Sequence, residues 1–120
     1  MTDRLRALHD AGVSIWADTL SRDLLDSGEF ARLVSECSVT GATSNPTIFE
    51  TAITDSHSYD LQLAELIESG VQDPQELFFA LAFSDVRHAA DLLRPVYDET
   101  SGADGYISFE CTPDLAYDTD

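Results

Sequence analysis

Lysine is absent from these 120 residues: the six basic side chains are Arg4, Arg6, Arg22, Arg32, Arg87 and Arg94. Chemistry that needs a lysine nucleophile, above all Schiff-base formation with a carbonyl, therefore finds no such side chain within this stretch. Positive charge of any kind is scarce, with 23 acidic residues giving a formal net charge of -17. A field of that sign repels phosphate polymers and anionic surfaces, so neither nucleic acid nor a membrane is an expected partner. The acids are scattered along the chain, which reads as a solvated surface rather than an acidic tail. No run approaches the roughly 18 consecutive apolar residues of a membrane span. Met1-Thr2-Asp3-Arg4-Leu5-Arg6 opens onto an amphipathic pattern rather than a signal peptide's apolar run, so cytoplasm is the expected location. Cysteine is rare as well: Cys37 and Cys111 lie far apart, outside any Cys-x-x-Cys pattern, and are expected to be reduced thiols packed as small hydrophobes. His9, His57 and His88 share no metal-ligand spacing, so surface roles and no metal are expected.

What is present suits one domain with a core of its own. Thr2 to Ala11 carries Leu5 and Leu8 at helical spacing and stops at Gly12. Val13-Ser14-Ile15-Trp16-Ala17 is a compact, mostly apolar run that predicts a first strand ending at Asp18-Thr19. Ser21 is a cap for a helical stripe through Glu36, interrupted near Ser27-Gly28. A second strand is predicted from Ser38 to Ala42 or Thr43. It runs into Thr43-Ser44-Asn45-Pro46, where Asn is a strong cap and proline suits the first helical position. A short helix over Pro46–Ile53 and another over Tyr59–Ser69 follow.

Asp73-Pro74, with Glu76 three residues after the cap, starts a long helix. Its predicted buried stripe is Ala82, Val86, Ala89, Ala90, Leu93 and Tyr97; Leu77 to Phe83 is apolar almost all round, and Pro95 should kink or end it. Tyr106-Ile107-Ser108-Phe109 is the third strand, ending at Glu110, and Pro113 to Asp120 reads as a connection towards a further helix. Strands alternating with helices predict an α/β fold with a parallel sheet.

Three predicted strands thus end in polar side chains, Asp18, Asn45 and Glu110. Such residues suit the mouth of a parallel barrel, where side chains from the carboxyl ends of different strands converge. Two carboxylates and an amide serve proton relay beside a carbonyl or hydroxyl substrate. They would equally serve a magnesium site, and spacing alone leaves both open.

Ala17-Asp18-Thr19, Thr43-Ser44-Asn45-Pro46-Thr47 and Ser108-Phe109-Glu110 with Leu115-Ala116-Tyr117-Asp118-Thr119 resemble, in order and approximate spacing, the N-terminal part of transaldolases. Leu20-Ser21-Arg22-Asp23-Leu24 and Asp104-Gly105-Tyr106-Ile107-Ser108 are similar to the longer bacterial branch of that family. The resemblance runs from about Leu5 to Asp120. It implies a TIM-type (β/α)₈ barrel of which residues 1–120 form the N-terminal portion, about three β/α units. It also implies transfer of a dihydroxyacetone unit in the pentose phosphate pathway, from sedoheptulose 7-phosphate or fructose 6-phosphate to an aldose phosphate. A lysine Schiff base acts there as electron sink, with no cofactor. By motif, Asp18 is the acid/base on the hydroxyl whose proton leaves in the retro-aldol step. Glu110 relays protons through a water during Schiff-base formation, and Asn45 hydrogen-bonds the dihydroxyacetone portion.

The Schiff-base lysine of that family belongs to a fourth strand, and the family's phosphate-holding arginine and serine come later still. A barrel of this kind takes about 250 residues to close, and three strands alone leave two unpaired edges. The expectation is an incomplete barrel domain over 1–120, truncated before the lysine strand and inactive alone. The alternative is a non-catalytic barrel remnant that acts as an interaction module through its open sheet edge.

Overall fold

A computed structural model describes residues 2–110. Helix α1 (Thr2–Asp10) is closed by backbone bonds from Gly12 and Val13 back to His9 and Leu8. That closing turn takes up Val13, so strand β1 is shorter than its apolar run, covering Ile15–Ala17. The stripe after Ser21 divides into α2 (Arg22–Asp26) and α3 (Glu29–Glu36). Gly28, at a φ of 82°, supplies the left-handed residue that breaks the two apart. Strand β2 spans Val39–Ser44, and α4 (Pro46–Asp55) starts directly after it. Helices α5 (Asp60–Glu68) and α6 (Pro74–Glu99) fill the long connection to β3 (Tyr106–Phe109).

The strands form one parallel sheet in the order β1-β2-β3. Ala17 pairs with Ala42, Gly41 with Tyr106 and Ser44 with Phe109. Side chains alternate along strands, so the two faces can be read from this register. Ala17, Ala42, Ile107 and Phe109 turn to the helices, where Leu20, Leu25, Phe30, Phe49, Ala82, Ala89 and Leu93 complete the core. Trp16, Gly41, Thr43 and Ser108 belong by alternation to the other face, which no described helix covers.

Two features of α6 differ from the sequence expectation. The helix does not end at Pro95 but runs on to Glu99, with Leu93 and Val96 on either side packed against the core. Phe83 is 43% exposed and lies against Phe79 and Phe109 at the β3 side of the sheet. Ala90 and Tyr97 are also exposed, whereas Ala82, Ala89 and Leu93 are buried and Val86 packs against the core as expected, with Leu81 and Asp85 added to the buried stripe. Cys37 is buried, as expected of a small hydrophobe, and His9, His57 and His88 lie at the surface. Cys111 and the stretch Pro113–Asp120 lie outside the described residues. No described helix is long and apolar enough to cross a membrane.

Candidate functional site at the carboxyl ends of the strands

Asp18, Asn45 and Glu110 each stand one residue beyond the last residue of a strand. Alternation places all three on the face away from the helices, in phase with Trp16, Gly41 and Ser108. Asn45 and Glu110 both follow the Ser44–Phe109 pair, so they stand side by side on adjacent strands, about 5 Å apart at Cα. Asp18 follows the Ala17–Ala42 pair and so stands beside Thr43, two residues lower on the far side of β2. From strand spacing and rise, its Cα is on the order of 12 Å from that of Glu110. Among the described residues no group of three or more His, Cys, Asp or Glu side chains is placed to hold a metal ion.

Local bonds hold each group differently. The Asn45 side-chain oxygen accepts from the backbone N–H groups of Thr47 (2.8 Å) and Ile48 (3.4 Å), capping α4 with Pro46 as its first residue. Only the amide oxygen can accept twice, so the cap also fixes the orientation of the NH₂ as an outward donor. Glu110 is placed by Ser44, whose hydroxyl donates to the Ser108 carbonyl (3.4 Å) and accepts from the Glu110 N–H (3.3 Å). Its own carboxylate is exposed. Asp18 is exposed too, and its carboxylate accepts from the Thr19 hydroxyl at 3.3 Å.

The uncovered face has a floor. The Trp16 ring lies across Gly41 so closely that a Cβ there would come within 2.3 Å of it. Only glycine leaves that space. The Trp16 ring N–H then reaches Asp104, just before β3, at 3.2 Å, and the Ser14 hydroxyl reaches the same carboxylate at 2.6 Å. Asp104 therefore ties β1 to β3 across β2. Burial would raise its pKa, but the bonds from Ser14, Thr40, Trp16 and the Gly105 N–H together hold the carboxyl below its ordinary range. These residues form the layer immediately beneath Asp18.

The sequence reading singled out the three strand-end groups but not Trp16, Gly41, Ser44 or Asp104 as parts of the site. Ser14 and Asp104 are 90 positions apart, and nothing local announces their pairing. The one available signal was a glycine in the middle of a β-branched strand, which often marks a close approach. A cleft of about 420 Å³ lies elsewhere, lined by Arg6, His9, Glu36, Thr40 and Glu99 near the amino-terminal ends of the strands. It contains none of the three strand-end groups.

Comparison with known proteins bears on this arrangement. The family profile described as transaldolase/fructose-6-phosphate aldolase matches residues 15–120. Transaldolase 2 of Streptomyces coelicolor is 49% identical over 119 residues, covering 99% of this chain and 32% of that protein. The transaldolase of Acidothermus cellulolyticus is 50% identical over 120 residues, with 100% and 32% covered. That of Thermobifida fusca is 46% identical over 120 residues, again with 100% and 32% covered. The chain thus spans about a third of the length of the curated relatives it matches.

Proposed function

The chain belongs to the transaldolase/fructose-6-phosphate aldolase family, and from that premise we propose that residues 1–120 form the first three strands of a (β/α)₈ barrel whose site opens on the uncovered face. In the complete barrel that face is the interior, and the carboxyl ends of the strands are the catalytic end. The full-length protein then transfers a dihydroxyacetone unit from fructose 6-phosphate or sedoheptulose 7-phosphate to an aldose phosphate, as a cytoplasmic enzyme of the pentose phosphate pathway.

The chemistry assigns each group a task. A lysine, supplied by sequence beyond these 120 residues, condenses with the ketose carbonyl and loses water to give an iminium ion. Asp18 takes the proton of the hydroxyl next to the bond that breaks. The electron pair that the O–H bond leaves on oxygen forms the C=O of the aldehyde, and the carbon–carbon bonding pair moves into the iminium to give an enamine. Attack of the enamine on an acceptor aldehyde reverses these steps, and Asp18 returns the proton. Glu110 relays protons through a water while the iminium forms and hydrolyses. The Asn45 NH₂ donates to a hydroxyl of the dihydroxyacetone portion. No step calls for a cofactor. The phosphate needs cations from elsewhere, since Arg22, the arginine nearest Asp18 in sequence, is paired with Asp85 at 2.8 Å.

The observation that carries this reading is that Asp18, Asn45 and Glu110 share one uncovered face at the carboxyl ends of three adjacent parallel strands. Its test is Asp18→Asn in the natural protein. Turnover of fructose 6-phosphate with an aldose phosphate should fall by about 10²–10⁴, with the melting temperature unchanged. Parental turnover would remove Asp18 from the mechanism. A second reading, a non-catalytic module that pairs through its sheet edges, draws on β1 and β3 each having one strand neighbour among the described residues.

A further inference from the structure

Arg22, Tyr59 and Asp85 come from three separate parts of the chain and close a ring of bonds beside the turn that carries Asp18. The backbone N–H of Arg22 donates to the Tyr59 hydroxyl at 2.8 Å. That hydroxyl donates to one oxygen of Asp85 at 2.6 Å, and Arg22 Nε donates to the other at 2.8 Å. The guanidinium also reaches the Leu81 carbonyl at 3.3 Å and lies over the Tyr59 ring, 4.3 Å from its centroid. Tyr59 and Asp85 are buried, and the Arg22 side chain is nearly so.

A buried ion pair is a poor device for stability alone. Apolar residues of similar volume often hold a fold as well or better, because the charges must be stripped of water. Burial pushes the Asp85 carboxyl above its ordinary range in spite of the Tyr59 and Arg22 bonds that favour its charged form. What charged and hydroxyl groups add is direction. Apolar contacts tolerate sliding, whereas this ring fixes the backbone of residue 22 itself as well as its side chain.

Arg22 is the first residue of α2, four positions after Asp18. Between them, Leu20 is sunk in the core and the Ser21 hydroxyl caps α2 by accepting from the Leu24 N–H at 3.3 Å. Asp18 and Thr19 are exposed, and the described hydrogen bonds of the Asp18 side chain reach no further than Thr19. Arg22 is thus the far anchor of the turn that carries Asp18. We propose that the Arg22–Tyr59–Asp85 ring is a positioning device that sets the β1–α2 turn, and with it the Asp18 carboxylate, above the Trp16 floor. This rests on the reading of Asp18 as the acid/base.

The test uses two variants of the natural protein, Tyr59→Phe and Arg22→Met/Asp85→Leu, each followed by melting temperature, steady-state kinetics and amide exchange. Tyr59→Phe keeps the ring and its packing but removes the hydroxyl. It should lower kcat by about ten- to a hundredfold while KM stays within about threefold. Amide exchange across Thr19–Arg22 should quicken by about tenfold or more. The apolar double variant should melt no lower than the parent and still be slow, which a merely structural role would not produce. Parental kcat and exchange in Tyr59→Phe would overturn the proposal, as would a kcat loss that only follows the melting temperature. Should the natural protein show no transaldolase turnover at all, the functional reading fails. Amide exchange in Tyr59→Phe then decides the positioning claim by itself.

Discussion

The two faces of the three-stranded sheet are built by opposite means. On the helix side, Ala42, Phe30, Ala82, Ala89 and Leu93 are fully buried, and apart from the Arg22–Tyr59–Asp85 ring, shape and apolar area hold the elements together. On the other side Trp16 remains 37% exposed, and the contacts are polar and directional: an indole N–H and a serine hydroxyl both donate to Asp104. The first kind of contact secures a fold and tolerates small shifts. The second fixes individual groups, as the role proposed for that face requires.

Substitutions on the two faces should separate these roles. The largest effect is expected in the core: Leu93→Ala removes a fully buried side chain and should cost about 2–5 kcal/mol, read by urea unfolding. Gly41→Ala comes next, since its new Cβ meets the Trp16 ring. A loss of about 1–3 kcal/mol is expected, with a red shift in the emission of Trp16, the chain's one tryptophan. The same change made in a Trp16→Ala background should be nearly neutral. An unaltered Trp16 emission in Gly41→Ala would contradict the described floor.

Acid titration addresses the Asp104 clamp. The folded protein holds this carboxyl below its ordinary range, so the unfolded chain binds the proton more readily. The clamp's contribution is therefore present above about pH 4 and is lost as pH falls through the folded-state pKa. Asp104→Asn should flatten that acid limb of the stability profile and the accompanying change in Trp16 emission. The smallest effect on stability is expected for Asn45→Asp, which keeps a capping oxygen for α4 and changes stability by no more than about 0.5 kcal/mol. It removes the outward NH₂, so turnover should fall while melting does not.

Much of this was legible in the sequence where the signal is local. Asn45-Pro46 and Asp73-Pro74 start helices because cap and proline act on backbone groups within one turn. The ends of β1 and β3 follow from apolar runs that stop at a polar residue, whereas β2 runs on to Ser44, past the expected end at Ala42 or Thr43. The parallel order follows from their alternation with helices. What stayed hidden depends on partners far along the chain. Asp85 reads as a solvated acid until Arg22 and Tyr59, 63 and 26 positions away, are seen to enclose it. Phe83 sits in a run that is apolar all round, and such a run does not say which side is left bare. Pro95 shows the reverse case: this local breaker does not end the helix, because its neighbours Leu93 and Val96 pack against the core.

The central claim is that the uncovered face, with Asp18, Asn45 and Glu110 at its rim, is one part of a transaldolase site completed by a lysine from further sequence. Borohydride trapping of the natural protein with fructose 6-phosphate, read by intact mass and peptide mapping, tests it most directly. The expected result is a polypeptide about three times the mass of this chain, carrying a reduced adduct on a lysine outside residues 1–120. A protein of 120 residues that forms no adduct would contradict it and leave the interaction module as the reading of this fold.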